Sequence, residues 1–168
     1  LRAMRRGYTH DAYLEKIAAL RRLIPDISLS TDIIVGFPGE TEEDFEETVR
    51  LMREVRYDSA FIFKYSPRPG TDAAARVDDV PPEVKAARNQ ALLQLQDELS
   101  LARLRRYEGR TVEVLIEGPG KQPGQLFGRT RGNHGVILDG PVEWTGRCLE
   151  ARIARAGPHT LFGVACPA

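Results

Sequence analysis

The sequence predicts an α/β half followed by a small all-β barrel, and three observations carry that prediction. First, Ile33-Ile34-Val35 is an unbroken β-branched run, stopped by Gly36, Pro38 and Gly39, which reads as a strand buried on both faces and ended at a βα turn. Second, Ala60-Phe61-Ile62-Phe63-Lys64-Tyr65 is another strand, and an amphipathic segment separates the two. Strands alternating with helices fit part of a parallel sheet or barrel. Third, from Gly109 onward the texture changes to short β runs between glycines, the mark of a small closed β-barrel.

The elements follow in order. Leu1 to Tyr8 reads as the end of a helix closed by Gly7. Thr9 is placed to cap the next helix, whose Tyr13, Ile17, Leu20 and Ile24 fall on one face before Pro25 ends it. A strand over roughly 28–35 follows. Thr41, with Asp44 three residues on, approximates a capping box opening a helix over about 42–55 that buries Phe45, Val49 and Met52. Its acids crowd the first turn and Arg50, Arg53 and Arg56 the last, as the helix dipole favours. The acidic run is thereby a solvated helix start with no catalytic role. Pro81-Pro82-Glu83 opens a long helix to about Arg106, with Leu92, Leu95 and Leu99 along one side. The barrel strands are expected at 111–116, 125–131, 136–138, 147–153 and 161–165.

Composition bounds the function classes. The 168 residues are 42% hydrophobic and 29% charged, as in a globular chain rather than a disordered one. No apolar run approaches the roughly 20 residues of a membrane span, so a cytoplasmic location and no membrane partner are the expectation. Cys148 and Cys166 lack close metal-ligand spacing and read as two buried thiols, with a disulfide as the alternative. The zero net charge hides an asymmetry: residues 32–80 hold 12 acids and 6 bases, leaving 12 acids and 18 bases elsewhere. That is weak support for a nucleic-acid partner.

In α/β folds ligands bind at the carboxyl ends of strands. The turn Gly36-Phe37-Pro38-Gly39-Glu40 lies at one such end and Ser66-Pro67-Arg68-Pro69-Gly70-Thr71 at the next. Arg68, projected from a proline-stiffened loop, suits a carboxylate or phosphate, and a salt bridge to a nearby acid is the alternative.

Three stretches, Met4-Arg5-Arg6-Gly7-Tyr8-Thr9, Thr31 to Glu40, and Tyr65-Ser66-Pro67-Arg68-Pro69-Gly70-Thr71-Asp72-Ala73, together resemble the radical S-adenosylmethionine methylthiotransferases. The third is most similar to the tRNA branch, which adds a methylthio group to carbon 2 of an isopentenylated adenosine beside the anticodon. Relatives acting on threonylcarbamoyl-adenosine in tRNA, or on an aspartate of a ribosomal protein, share much of the pattern. Gly128-Arg129-Thr130-Arg131-Gly132-Asn133 and Ala156 to Gly163 resemble the TRAM domain, an RNA-binding barrel of the OB-like kind.

The resemblance implies three parts: residues 1–80 as the carboxyl-terminal part of a TIM-like radical SAM barrel, 81–107 as a connecting helix, and 108–168 as the TRAM domain. It implies S-adenosylmethionine and two four-iron, four-sulfur clusters in the full-length enzyme. The cysteine motifs for those clusters are not in this sequence, so the piece is expected to be inactive alone, with no catalytic residue and no metal ligand of its own. The implied cofactor neighbours are Gly36, Phe37, Pro38, Gly39, Glu40, Phe63, Tyr65 and Ser66, with Arg6 at the methionine carboxylate. Arg68, Arg129, Thr130, Arg131, Asn133 and His159 are the implied substrate or RNA contacts. The implied partner is the anticodon stem-loop of tRNA, bound by a monomer. A stand-alone, non-catalytic RNA-binding module is the competing reading.

Overall fold

The computed structural model describes residues 1–166, so the last two positions of the expected barrel domain lie outside the described residues. The chain forms two compact units, Leu1–Gln96 and Asp97–Ala168, divided within the long helix α3 (Pro82–Leu104).

The first unit follows the predicted alternation. The helix α1 (His10–Leu23) starts at Thr9, whose hydroxyl accepts the Ala12 N–H at 3.2 Å. Strand β1 (Ser30–Val35) is joined through helix α2 (Glu42–Val55) to strand β2 (Ser59–Lys64). The strands pair in parallel from Ser30 opposite Ser59 to Val35 opposite Lys64, as a helical crossover allows. The capping box at α2 is complete: the Thr41 hydroxyl accepts the Asp44 N–H and the Asp44 carboxylate accepts the Thr41 N–H. Val35, Met52, Val55, Tyr57 and Leu92 make the buried core. At the amino end, Arg6 N–H reaches Leu1 C=O and Arg5 N–H reaches Arg2 C=O, with Arg5 at φ 56. These two hydrogen bonds have the pattern that closes helices, but here they close a single turn over residues 2–5. The sequence reads this stretch as the end of a helix closed by Gly7; the structure has a turn there, and its left-handed residue is Arg5.

One expectation for this unit is corrected. The run Ile33 to Val35 is not buried on both faces, because burial alternates along β1. The opposite face of the two-stranded sheet leaves Ile34 41%, Phe61 60% and Phe63 53% exposed. A β-branched run signals a strand, but burial on its second face needs a covering layer, which the described residues do not provide.

The second unit is a closed barrel in the order β3-β4-β5-β7-β6, from β3 (Thr111–Pro119), β4 (Gln125–Thr130), β5 (Gly135–Asp139), β6 (Cys148–Ala156) and β7 (Leu161–Ala165). All pairings are antiparallel except β5 with β7. Inward-facing Val114, Ile116, Leu126, Val136, Leu138, Ala151, Ile153 and Leu161 fill the interior, and Leu104 joins them. Closure removes sheet edges, which a small domain otherwise has to protect. The expected five strands are present. Strand β4 ends one residue early, at Thr130, where Asn133 at φ 62 reverses the chain and Thr130 N–H bonds His134 C=O. Arg131, placed in the strand by the expected range 125–131, therefore lies in a turn beyond it.

Candidate functional site

Two groups of residues stand out, one in each unit. In the first unit, the carboxyl ends of β1 and β2 open into a cleft of about 990 Å³. Its apolar walls include Ile34, Phe37, Phe63 and Tyr65, and Ser66, Arg68 and Arg6 share the lining. Six cationic side chains line it (Arg2, Arg5, Arg6, Lys64, Arg68 and Arg76) against two acids, Asp32 and Asp72. Arg5 is ion-paired with Asp72. The excess of acids in residues 32–80 thus gives no hint of this surface, since half of those carboxylates sit on α2 and only Asp32 and Asp72 line the cleft. Among the described residues, Arg6 and Arg68 form no ion pair, so the salt bridge weighed for Arg68 is not made.

The turn after β1 is held from behind. Glu40 places its carboxylate on the Gly36 N–H at 2.6 Å and on the Arg88 guanidinium at 2.7 Å. Arg88 also bonds the Glu40 carbonyl at 3.2 Å and the Glu42 carboxylate at 2.9 Å, while lying 5.3 Å over the Phe45 ring. The pair is deeply buried, with side chains 8% and 10% exposed. Burial pulls the Arg88 pKa down, but hydrogen bonds to Glu42 and Glu40 outweigh it, and the net direction is upward. The guanidinium stays charged.

Lys85, one helical turn earlier, lays its stem against Gly36 so closely that a Cβ there would sit 2.3 Å from Lys85 Cγ. Gly36 also has φ +71, so both packing and backbone conformation require glycine. Lys85 ends on the Asp78 carboxylate at 2.6 Å. Gly39 N–H is taken by Asp79 at 2.7 Å. The turn is therefore pre-shaped, with the Gly36 and Gly39 N–H donors already engaged by carboxylates.

Of the residues singled out for the cofactor, Phe37, Phe63, Tyr65, Ser66 and Arg6 reach the cleft together, whereas Gly36, Pro38, Gly39 and Glu40 form its supporting wall. Tyr65 carries a buried hydroxyl with no hydrogen-bond partner, and its ring meets Phe37 edge-on at 5.3 Å. A buried polar atom without a partner beside an apolar cleft fits a ligand with polar groups on a flat ring system. No such fit exists for an iron–sulfur cluster: among the described residues no group of three His, Cys, Asp or Glu is placed to hold a metal ion, and both cysteines are free thiols in the barrel unit, Cys148 exposed and Cys166 half-buried rather than buried as the sequence suggests.

Sequence reading missed Lys85 and Arg88. A signal existed: they precede Leu92 and Leu95 at helical spacing, so the buried stripe of α3 begins with two cations, which burial permits only with carboxylate partners.

In the barrel unit, Arg129 bonds the Glu117 carboxylate at 3.2 Å and the Asn133 side-chain oxygen at 3.2 Å. Arg131 bonds Glu113 at 2.8 Å. Both carboxylates project from β3, so the arginines share one side of the barrel although not one strand. The Thr130 side chain is buried, and its hydroxyl accepts the His134 N–H at 3.2 Å. His159 is exposed, 3.2 Å from Asp97. Arg129 and Asn133 thus meet, while Arg131 and His159 have separate partners. No helix among the described residues is long and apolar enough to cross a membrane.

Comparison with known proteins places the chain. Residues 1–52 match the radical SAM superfamily and residues 105–166 the TRAM domain. Over 97% of its length the chain is 48% identical to a protein of Methylacidiphilum infernorum, 53% to one of Porphyromonas gingivalis and 48% to one of Thermus thermophilus. Each of those is named tRNA-2-methylthio-N(6)-dimethylallyladenosine synthase. The chain spans 35–36% of their lengths, about a third.

Proposed function

We propose that this chain, which belongs to the radical SAM methylthiotransferase family, is part of an enzyme that adds a methylthio group to carbon 2 of N6-isopentenyladenosine beside the anticodon of tRNA. Residues 1–80 contribute the closing part of the catalytic barrel, 81–107 a connecting helix and 108–168 an RNA-holding TRAM domain. The observation that carries this reading is the cleft at the ends of β1 and β2, where aromatic walls meet a cationic rim. That combination suits adenosine groups and phosphates together.

In this reading Ile34, Phe37 and Phe63 give apolar contact to the cofactor's adenosine, and the Tyr65 hydroxyl and Ser66 supply polar contacts. Arg6 holds the cofactor's carboxylate, and Arg68 faces the RNA. Bound S-adenosylmethionine supplies the radical-forming chemistry in the complete protein, together with clusters whose ligands are not among these residues. Glu40, Arg88 and Lys85 act at one remove, by fixing the turn that carries Phe37. On the barrel, Arg129, Arg131, Asn133 and His159 hold the anticodon stem-loop, with phosphates replacing Glu117 and Glu113 as partners of the two arginines. The protein works as a cytoplasmic monomer.

The test is titration of an anticodon stem-loop RNA at two salt concentrations. The chain is expected to bind in a salt-dependent manner, and Arg129→Ala/Arg131→Ala to lower the slope by about 1 per lost phosphate contact. Binding unchanged in that variant would move the RNA contact off this side of the barrel. For the complete enzyme, Arg68→Ala is expected to weaken tRNA methylthiolation, and unchanged turnover at low tRNA concentration would remove Arg68 from the substrate contacts.

A further inference from the structure

The register of the barrel lines up four outward-facing side chains in one row. Phe127 on β4 sits opposite Ile137 on β5, Ile137 opposite Phe162 on β7, and Phe162 opposite Arg155 on β6. Their inward neighbours Leu126, Val136, Leu138 and Leu161 are in the barrel core, so alternation directs the row to the outer surface. Phe127 and Phe162 are two strand spacings apart, roughly 10 Å.

Local geometry opens this row. A Cβ on Gly135 would come within 2.9 Å of the Phe127 ring, so the absence of a side chain there is what lets the ring lie down against β5. The ladder of β6 slips between Ile153 and Arg155, leaving Ala154 as an extra residue. Such a bulge re-aims the side chain that follows it, and here Arg155 lies 3.8 Å from the centre of the Phe162 ring. Arg129 lies 5.4 Å from the centre of the Phe127 ring. Each ring therefore carries a guanidinium.

The charge on this face differs from that on the β3 side. Arg152, outward on β6 opposite the exposed Val164, and Arg155 have no carboxylate partner among the described residues. The carboxylates that engage Arg129 and Arg131 belong to β3. Two acids stand at outward positions of β4, β5, β7 and β6: Asp139, at the far end of β5 from Gly135, and Glu150 on β6, two residues before Arg152 and five before Arg155.

We propose that the outer face of β4, β5, β7 and β6 is a stacking platform for unpaired RNA bases, with Phe127 and Phe162 as the rings and Arg152 and Arg155 as phosphate contacts. Spaced aromatic rings next to unpaired arginines are what single-stranded nucleic acid needs, since every base has a face to stack and every linkage a charge. Guanidinium groups resting on the rings are held ready to swing onto phosphates as bases replace them. The inference rests on the reading that the barrel contacts RNA, and adds to the contacts of Arg129, Arg131, Asn133 and His159 a base-stacking contact on the neighbouring face.

The experiment uses the whole chain and two fluorescent single-stranded oligoribonucleotides of equal length, one with bases and one with abasic riboses at its central positions. The chain is expected to bind the base-bearing strand about tenfold more tightly, as one good base–aromatic stack would give. Phe127→Leu/Phe162→Leu, which keeps apolar cover over Gly135, is expected to abolish that difference while leaving affinity for the abasic strand unchanged. Arg152→Gln/Arg155→Gln is expected to lower the salt slope for both strands, and it serves alone if the leucine variant does not fold by Trp144 emission. A base preference that survives the leucine substitutions, or a salt slope unmoved by the glutamines, overturns the platform and leaves RNA binding by the barrel intact. Salt-independent binding, or none, in the unaltered chain overturns both.

Discussion

The two units solve the problem of a small sheet in opposite ways. The barrel closes its five strands on one another and fills the inside with aliphatic side chains. The first unit has two strands with one open face, and buried ions at its turn: Arg88 between Glu40 and Glu42, and Lys85 against Gly36 and Asp78. An aliphatic core tolerates loss of a methyl group in proportion to the cavity left. A buried ion pair fails as a unit, because removal of one partner strands the other charge. The first unit should therefore respond to single polar substitutions more sharply than the barrel.

Trp144, the single tryptophan, belongs to the barrel unit, so its emission and the helical far-ultraviolet signal separate the two regions. The largest effect is expected for Arg88→Ala. It leaves Glu40 buried without its cation and should cost about 3–5 kcal/mol, read as an earlier loss of helical signal in urea with the Trp144 transition in place. A Trp144 transition that moved equally would show that the units unfold together. Leu126→Ala, in the barrel core, should cost about 2–5 kcal/mol and shift the Trp144 transition, leaving the first unit's midpoint unchanged.

A smaller loss, about 1 kcal/mol, is expected for Thr41→Ala, which removes one half of the α2 capping box. The measurement is the urea midpoint of the helical signal, and Thr41→Ser should restore it.

The smallest effect at neutral pH belongs to Tyr57. Burial, and then the 2.7 Å bond to the Tyr13 hydroxyl, push its pKa well above the ordinary 10.0. The folded state thus favours the neutral phenol, a contribution fully present below pH 10 and lost as pH rises above it, where the unfolded chain ionises first. Stability of the first unit should fall on alkaline titration, and Tyr57→Phe should flatten that fall. Glu43 runs the other way. The backbone N–H at the start of α2, followed by the Thr41 hydroxyl, holds its pKa below the usual value. Its stabilisation is present above the ordinary carboxylate pKa and disappears as pH drops through the folded value; Glu43→Gln should remove that small acid-side dependence.

The predictability of the two regions differed as well. The five strands of the barrel were legible because glycine turns and alternating apolar positions are local signals. So was α2, with its boundaries, since a capping box is written in four consecutive residues. At the start of the chain the reading of a helix end closed by Gly7 met a single turn instead, closed at Arg5 by the hydrogen bonds to Leu1 and Arg2. The cleft was half legible. Phe63, Tyr65, Ser66 and Arg68 follow from their place at a strand end, but the six cations come from separated stretches of the unit, and charge counted along the chain gave the opposite impression.

By itself the sequence determined the order of elements, the turn residues and the family, because those depend on spacing and on residue types within a few positions of one another. Only the tertiary structure decided which faces are covered and which charges meet. Burial of β1 on one face only, the seating of Lys85 and Arg88 behind the Gly36 turn, and the row of Phe127, Ile137, Phe162 and Arg155 all join residues distant in the chain. Such pairings are set by strand register and helix packing, where a shift of one residue exchanges inside for outside.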